Sequence, residues 1–174
     1  MPIYGGREMA EAFRTVRKNT ITIAQEIPAD QYGFRPAPDS RTVAELLAHM
    51  AIAPMWQADV HGAHLSQITY EIFGQRIAAN AAAERALAGK DTILQALGDH
   101  GGRFVAFLID VSDETLAELV SFPPPVQPAT KSRFEMLLGV KEHEMHHRGQ
   151  LMVYQRILGM VPHLTRAQQV TAGR

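Results

Sequence analysis

The strongest constraint on the fold is a run of helical periodicity from about Thr130 to Leu158. Phe134, Met136, Leu137, Leu138 and Val140 recur at helical spacing in its first half, and Leu151, Met152, Tyr154, Ile157 and Leu158 in its second. This spacing predicts one long helix. At its centre lies Lys141-Glu142-His143-Glu144-Met145-His146-His147-Arg148-Gly149-Gln150-Leu151, with three of the chain's eight histidines. At ~100° per residue, His143 and His147 stand one turn apart on one face. That is the i, i+4 pair through which two imidazoles can hold one metal ion. Gln150 and Tyr154 continue the same stripe, with Val140 and Met136 below.

The remaining chain reads as further helices. Met9, Phe13, Val16, Ile21 and Ile23 begin a helical pattern after Gly5-Gly6, and Pro28 closes it. The loop from Pro28 to Arg41 is too rich in proline and glycine for a helix, and its Tyr32 and Phe34 are placed to pin it onto the bundle. A second helix starts near Thr42, where Thr42 and Glu45 form a capping box. Pro54 inside it is expected to kink or split it. Residues 65–89 are ambiguous, with helix propensity interrupted by Gly74 and Gly89. A third long helix is expected from Asp91 to Asp110, with Ile93, Leu94, Leu97, Phe104, Phe107 and Leu108 inward. Gly101-Gly102 within it marks a close helix contact. A short helical turn at 113–119 and a proline-rich connector from Ser121 lead into the histidine helix. No stretch alternates convincingly as a strand, and there is no internal repeat. The expected fold is an all-α four-helix bundle with long loops and short extra turns, a single domain over residues 1–174, with Phe13, Leu46, Leu97, Phe104 and Leu137 buried.

Composition removes several functions. The net charge of −1 gives no footprint for nucleic acid. The absence of cysteine excludes a disulfide framework, a thiolate metal site and a cysteine nucleophile. No apolar run reaches the ~20 residues of a membrane span, and the leader Met1 to Arg7 lacks a signal peptide's apolar core, so a cytoplasmic location is expected.

His143-Glu144-Met145-His146-His147 matches the H-E-x-x-H signature of zinc peptidases. Those enzymes draw a third ligand from downstream, but no aspartate or glutamate follows His147. Positions 150 and 153, where an extended signature needs glycine and histidine, hold Gln150 and Val153. His163 lies beyond Gly159 and Pro162, off the helix. The third ligand is therefore sought upstream, among His49, His61, His64 and His100. On one helix His49 and His64 would stand about 22 Å apart at ~1.5 Å per residue, too far to share an ion. His61 and His64 flank Gly62 at a helix end, where histidines are commonly solvated. His49 alone sits mid-helix on an apolar face, between Leu46 and Ala53. Taken alone it reads as a core histidine bonded to a carbonyl; beside the i, i+4 pair it becomes the third candidate. Glu144 and Arg148 form an ion pair by spacing, and Glu142 could equally pair with His146. Gly149 would admit a neighbouring helix. His146, Gln150 and Tyr154 are candidates for contacts behind the ligands or with a substrate.

Leu46-Leu47-Ala48-His49-Met50, the stretch His143 to Leu151, and Tyr154-Gln155-Arg156-Ile157-Leu158-Gly159 together resemble the DinB-like (damage-inducible) four-helix-bundle family. The loop Tyr32-Gly33-Phe34-Arg35-Pro36-Ala37-Pro38-Asp39 is similar too. The resemblance implies a metal triad at His49, His143 and His147, a zinc or nickel ion, and a homodimer. It also implies a metal-dependent transferase joining a low-molecular-weight thiol to an electrophilic small molecule. A metal-dependent hydrolase, and a non-catalytic metal-binding stress-response protein, are the other readings. Neither cysteine nor a serine in a nucleophile-elbow sequence is present, so the nucleophile is expected from outside the chain.

Overall fold

The computed structural model describes residues 4–173. The expected leader lies partly outside them, at residues 1–3. Four long helices form the bundle: α1 (Gly6–Glu26), α2 (Val43–Gly62), α4 (Lys90–Asp110) and α6 (Arg133–Ile157). Three shorter ones complete the α-helical set among the described residues: α3 (Tyr70–Ala86), α5 (Asp113–Ala117) and α7 (His163–Thr171), and a single 3-10 turn (Ala29–Gln31) follows α1. α1 and α2 each pack against both α4 and α6, so α1 and α2 stand on one diagonal although they are consecutive in sequence.

The connection from α1 to α2 crosses the end of the bundle, and its two aromatics hold it there. Tyr32 is buried and donates its hydroxyl proton to the Ala24 carbonyl at 2.8 Å. Phe34 meets Tyr154 of α6 edge to face at 6.0 Å. The carbonyls of Phe34 and Tyr32 accept the amides of Val43 and Ala44, both at 2.9 Å, so the loop itself satisfies the first turn of α2. The capping box adds two bonds there: Thr42 N to Glu45 Oε2 at 2.7 Å, and Glu45 N to Thr42 Oγ1 at 3.1 Å.

Two apolar layers fill the interior. One gathers Ile23, Ile27, Leu46, Leu47, Met50, Ile93, Leu97 and Leu151 around Tyr32 and Tyr154. The other gathers Met9, Phe13, Phe104, Leu108, Leu116 and Leu137, with Phe13 and Phe104 edge to face at 4.9 Å. The five core residues expected from periodicity, Phe13, Leu46, Leu97, Phe104 and Leu137, are all buried.

Between the layers lies a polar one. Arg17 of α1 and Glu144 of α6 are 4% and 2% exposed. Arg17 donates from Nη2 and Nε to Glu144 Oε2 at 2.7 and 3.1 Å. It also donates from Nη1 to the Leu97 carbonyl of α4 at 3.0 Å and from Nη2 to the Met50 carbonyl of α2 at 2.9 Å. The Met50 carbonyl needs a partner because the residue four ahead is Pro54, which has no N–H to offer. Arg17 replaces that bond, and α2 continues through Pro54 unsplit. Gly101 permits the approach, since a Cβ there would lie 3.0 Å from Arg17 Cγ. Gly6 makes a second close contact: a Cβ on it would strike the Leu108 carbonyl.

Several local expectations are corrected. Thr130–Ser132 is a strand, β2, pairing antiparallel with β1 (Leu119–Ser121), and α6 begins only at Arg133 behind a Ser132–Glu135 capping box. Three residues per strand are too few for alternation to show in sequence. The turn expected at 113–119 closes as a helix at Ala117, because Leu119 joins the strand pair. The ambiguous region contains α3, which runs through Gly74 and buries none of its residues. Gly149 faces open space rather than another helix. Glu144 pairs with Arg17, not Arg148, and His146 meets Gln150, not Glu142. No helix among the described residues is long and apolar enough to cross a membrane.

Removing one partner of a buried ion pair strands the other charge, at a cost of about 3–5 kcal/mol. We therefore expect Arg17→Ala to lower unfolding free energy by about that amount in a denaturant titration. Arg17→Met combined with Glu144→Leu should recover part of the loss, since neither charge is then left unpaired although the Met50 carbonyl still lacks its donor. A loss under about 1 kcal/mol for Arg17→Ala would show that the layer does not hold the bundle.

Candidate metal centre

α2 and α6 lie side by side, and their facing stripes bring His49 against His143 and His147. His143 Nε2 stands 3.0 Å from His49 Nε2 and 3.0 Å from His147 Nε2. The three donor atoms lie within 4.8 Å of one another, and the group could hold a metal ion. Four ligands at ~2.0–2.1 Å in a tetrahedron place nitrogen atoms about 3.3 Å apart, close to the spacing observed.

The bonds behind the rings decide which nitrogen carries each proton. His49 Nδ1 is 2.8 Å from Glu84 Oε1, and an ionised carboxylate only accepts, so the Nδ1 proton belongs to His49. His147 Nδ1 donates to Gln150 Oε1 at 2.8 Å; the Gln150 amide nitrogen in turn donates to His146 Nε2 at 3.2 Å. Neutral His49 and His147 therefore both present a bare lone pair at Nε2. A proton on His143 Nε2 can serve only one of them, which leaves one short nitrogen–nitrogen approach without a hydrogen. A cation among the three lone pairs removes that conflict, so the donor set fits a divalent ion.

Electrostatics favour the same neutral form. Burial, then the neighbouring His147 and His49, bring His143 down from 6.5 to about 4. Burial also lowers His147, against the opposing hydrogen bond to Gln150. Both rings are thus unprotonated near neutrality, the form in which imidazole binds a metal.

The other candidates have different surroundings. His61 is buried rather than solvated. It accepts from Arg133 Nη1 at Nδ1, at 3.1 Å, and its Nε2 meets Gln57 Oε1 at 3.1 Å. Desolvation and the Arg133 charge bring it down to about 4. His64 is exposed on the turn after α2. His100 Nδ1 meets the Ala51 carbonyl at 3.1 Å, and His163 begins α7. Tyr154 donates its hydroxyl proton to the Arg41 carbonyl at 3.1 Å, which ties α6 to the loop rather than to the histidines. Glu144, the glutamate of the peptidase-like signature, is held through Oε2 by Arg17 on the opposite side of α6, with Oε1 buried and without a partner. Glu84 was not visible to spacing arguments, because α3 approaches His49 only through tertiary packing.

A cavity of about 540 Å³ opens beside the triad, reaching His49, His143 and Glu84. Trp56, Ile68, Ile77, Phe122, Met136 and Val140 make its walls largely apolar. α3 contributes Ile77, Asn80 and Ala81 to its lining, and the segment after β1 contributes Phe122.

This fold has known counterparts. Residues 12–151 match the family model of the DinB superfamily, and the chain belongs to that superfamily. A solved DinB-like protein from Bacillus subtilis is similar at 22% identity and a TM-score of 0.66, over 88% of this chain and 93% of that one. A protein from Streptococcus pneumoniae is similar at 15% identity and a TM-score of 0.65, over 90% of this chain and 93% of that one. No curated protein matches the chain.

For the metal-free protein we expect stability to fall as pH drops from about 6.5 to about 4. In that window the unfolded chain binds protons at His61 and His143, whose folded values lie near 4, while the native state does not. Above 6.5 neither state binds them, so the effect vanishes there. Urea unfolding at a series of pH values checks the slope; a flat profile between these limits would contradict it.

Proposed function

We propose that the protein is a metal-dependent enzyme in which His49, His143 and His147 hold a divalent transition ion, zinc or nickel, through their Nε2 atoms. The observation that carries this reading is the convergence of those three histidines, with Glu84 behind His49 and Gln150 behind His147 at 2.8 Å each. When bound, such an ion supplies a Lewis acid that lowers the pKa of a coordinated thiol or water.

The chain's own residues favour a nucleophile delivered from outside. It has no cysteine, and Glu144 is held by Arg17 behind the helix, unable to reach the histidine face as a base. Glu84 already accepts from His49. A low-molecular-weight thiol, which becomes nucleophilic on losing its proton, fits these conditions best. The apolar cavity suits the second substrate, an electrophile with an aromatic or aliphatic body and its reactive carbon toward His143. The transfer forms a sulfur–carbon bond at that carbon as the carbon's bond to its leaving group breaks; the leaving group departs with that electron pair, and the thiol proton goes to it or to solvent. Water in place of the thiol gives the hydrolase alternative. A homodimer belongs to the same reading, and sedimentation checks it.

We expect about one divalent ion per purified chain by elemental analysis. His49→Ala, His143→Ala and His147→Ala should each lose it, while His61→Ala and His64→Ala keep it. Full occupancy in His49→Ala would sink the triad. In cobalt-substituted protein, a sulfur-to-metal charge-transfer band on adding a small thiol supports the transferase. Its absence with every thiol tried, together with turnover of an ester or amide, favours the hydrolase.

A further inference from the structure

Glu84 stands in the last turn of α3, a helix with no buried residue that packs chiefly on α2. The core therefore does not dictate where its carboxylate sits. Yet Glu84 Oε1 reaches His49 Nδ1 at 2.8 Å, with the two side chains only 22% and 20% exposed. The same ring aims its Nε2 at His143, 3.0 Å away. α3 has other ties to α2, the Arg76–Asp59 ion pair at 2.6 Å and the Trp56–Phe73 contact at 5.4 Å. Neither needs Glu84 to point at an imidazole.

The two outer partners of the triad are also unequal. Gln150 holds His147 from the same helix, three residues away, with a neutral oxygen. Glu84 holds His49 from a different helix and brings a negative charge. A carboxylate behind an imidazole fixes the tautomer and makes the far nitrogen a stronger donor.

We propose that Glu84 is a positioning residue: it keeps His49 in the Nδ1–H tautomer, aimed at His143 and His147, and so sets the affinity of the triad for a divalent cation. This rests on the metal-binding reading above. It also joins a wall of the cavity to the metal centre, since Ile77, Asn80 and Ala81 on α3 line the same space as His49.

Two measurements on the full chain test it: nitrogen-15 NMR of the histidine rings without metal, and competition of zinc against a chromophoric chelator. We expect Glu84→Ala to move His49 toward the Nε2–H tautomer and to weaken zinc binding about 10- to 100-fold, with one ion per chain retained. Glu84→Gln, which keeps an accepting oxygen without the charge, should restore the tautomer and recover part of the affinity. Arg76→Ala, which loosens α3 without touching His49, should leave the tautomer unchanged and the affinity within about twofold. Wild-type tautomer and affinity in Glu84→Ala would overturn the proposal. So would an affinity loss in Arg76→Ala equal to that in Glu84→Ala, which would assign the effect to α3 docking. If the wild-type chain binds no zinc, the triad reading fails instead, and an unchanged His49 tautomer in Glu84→Ala would then overturn the role of Glu84 independently.

Discussion

One guanidinium ties together all four long helices. Arg17 rises from α1 into the middle of the bundle and bonds a carboxylate on α6, a carbonyl on α4 and a carbonyl on α2. Each partner has a reason to need it. The Met50 carbonyl lost its helical donor to Pro54, and burying the Glu144 carboxylate is costly unless a cation pairs with it. An apolar residue at either position would fill the space but would not specify how the four helices align along their axes. The register of α2 against α6, on which the histidine site depends, is thus held by a contact on the far side of α6.

That arrangement explains why a peptidase-like signature does not build a peptidase-like site. Successive residues on a helix differ by ~100°, so His143 and His147 share a face that Glu144 cannot share. The histidines look toward His49 and the cavity, whereas Glu144 looks toward Arg17. The same helix carries a candidate ligand face and a structural ionic face, separated only by rotation. The acid–base group that a metallopeptidase places beside its metal is here consumed in holding the bundle together.

Around the site the polar contacts form an ordered chain. His146, Gln150, His147, His143, His49 and Glu84 follow one another through contacts of 2.8–3.2 Å. The chain runs from an exposed position on α6, across the helix pair, to α3. A second polar set, Gln57, His61, Arg133 and Glu118, fastens the end of α2 to the start of α6 and to the residue before β1. With Arg17 and Glu144 on the opposite face of α6 at the level of the histidines, polar contacts fix α2 against α6 at two levels. The apolar layers supply the bulk of the burial.

The amino-acid sequence determines whatever depends on neighbours along one helix or one loop. The helical faces, the capping box at Thr42 and the pairing of His143 with His147 are contacts within a few residues, set by backbone geometry alone. Periodicity alone pointed to a helical bundle and to His49 as the third candidate, and the resemblance carried by the histidine stretch agreed with both. Tertiary structure decided the rest. Glu144 met Arg17, 127 residues away, instead of Arg148, and His49 met Glu84 through the docking of α3. His61, which spacing placed at a solvated helix end, is buried and meets Arg133 and Gln57. Periodicity shows which way a side chain points from its own axis. What waits on the other side is settled only when helices distant in sequence pack, because a buried charge or an orphaned carbonyl must then find the one partner within reach.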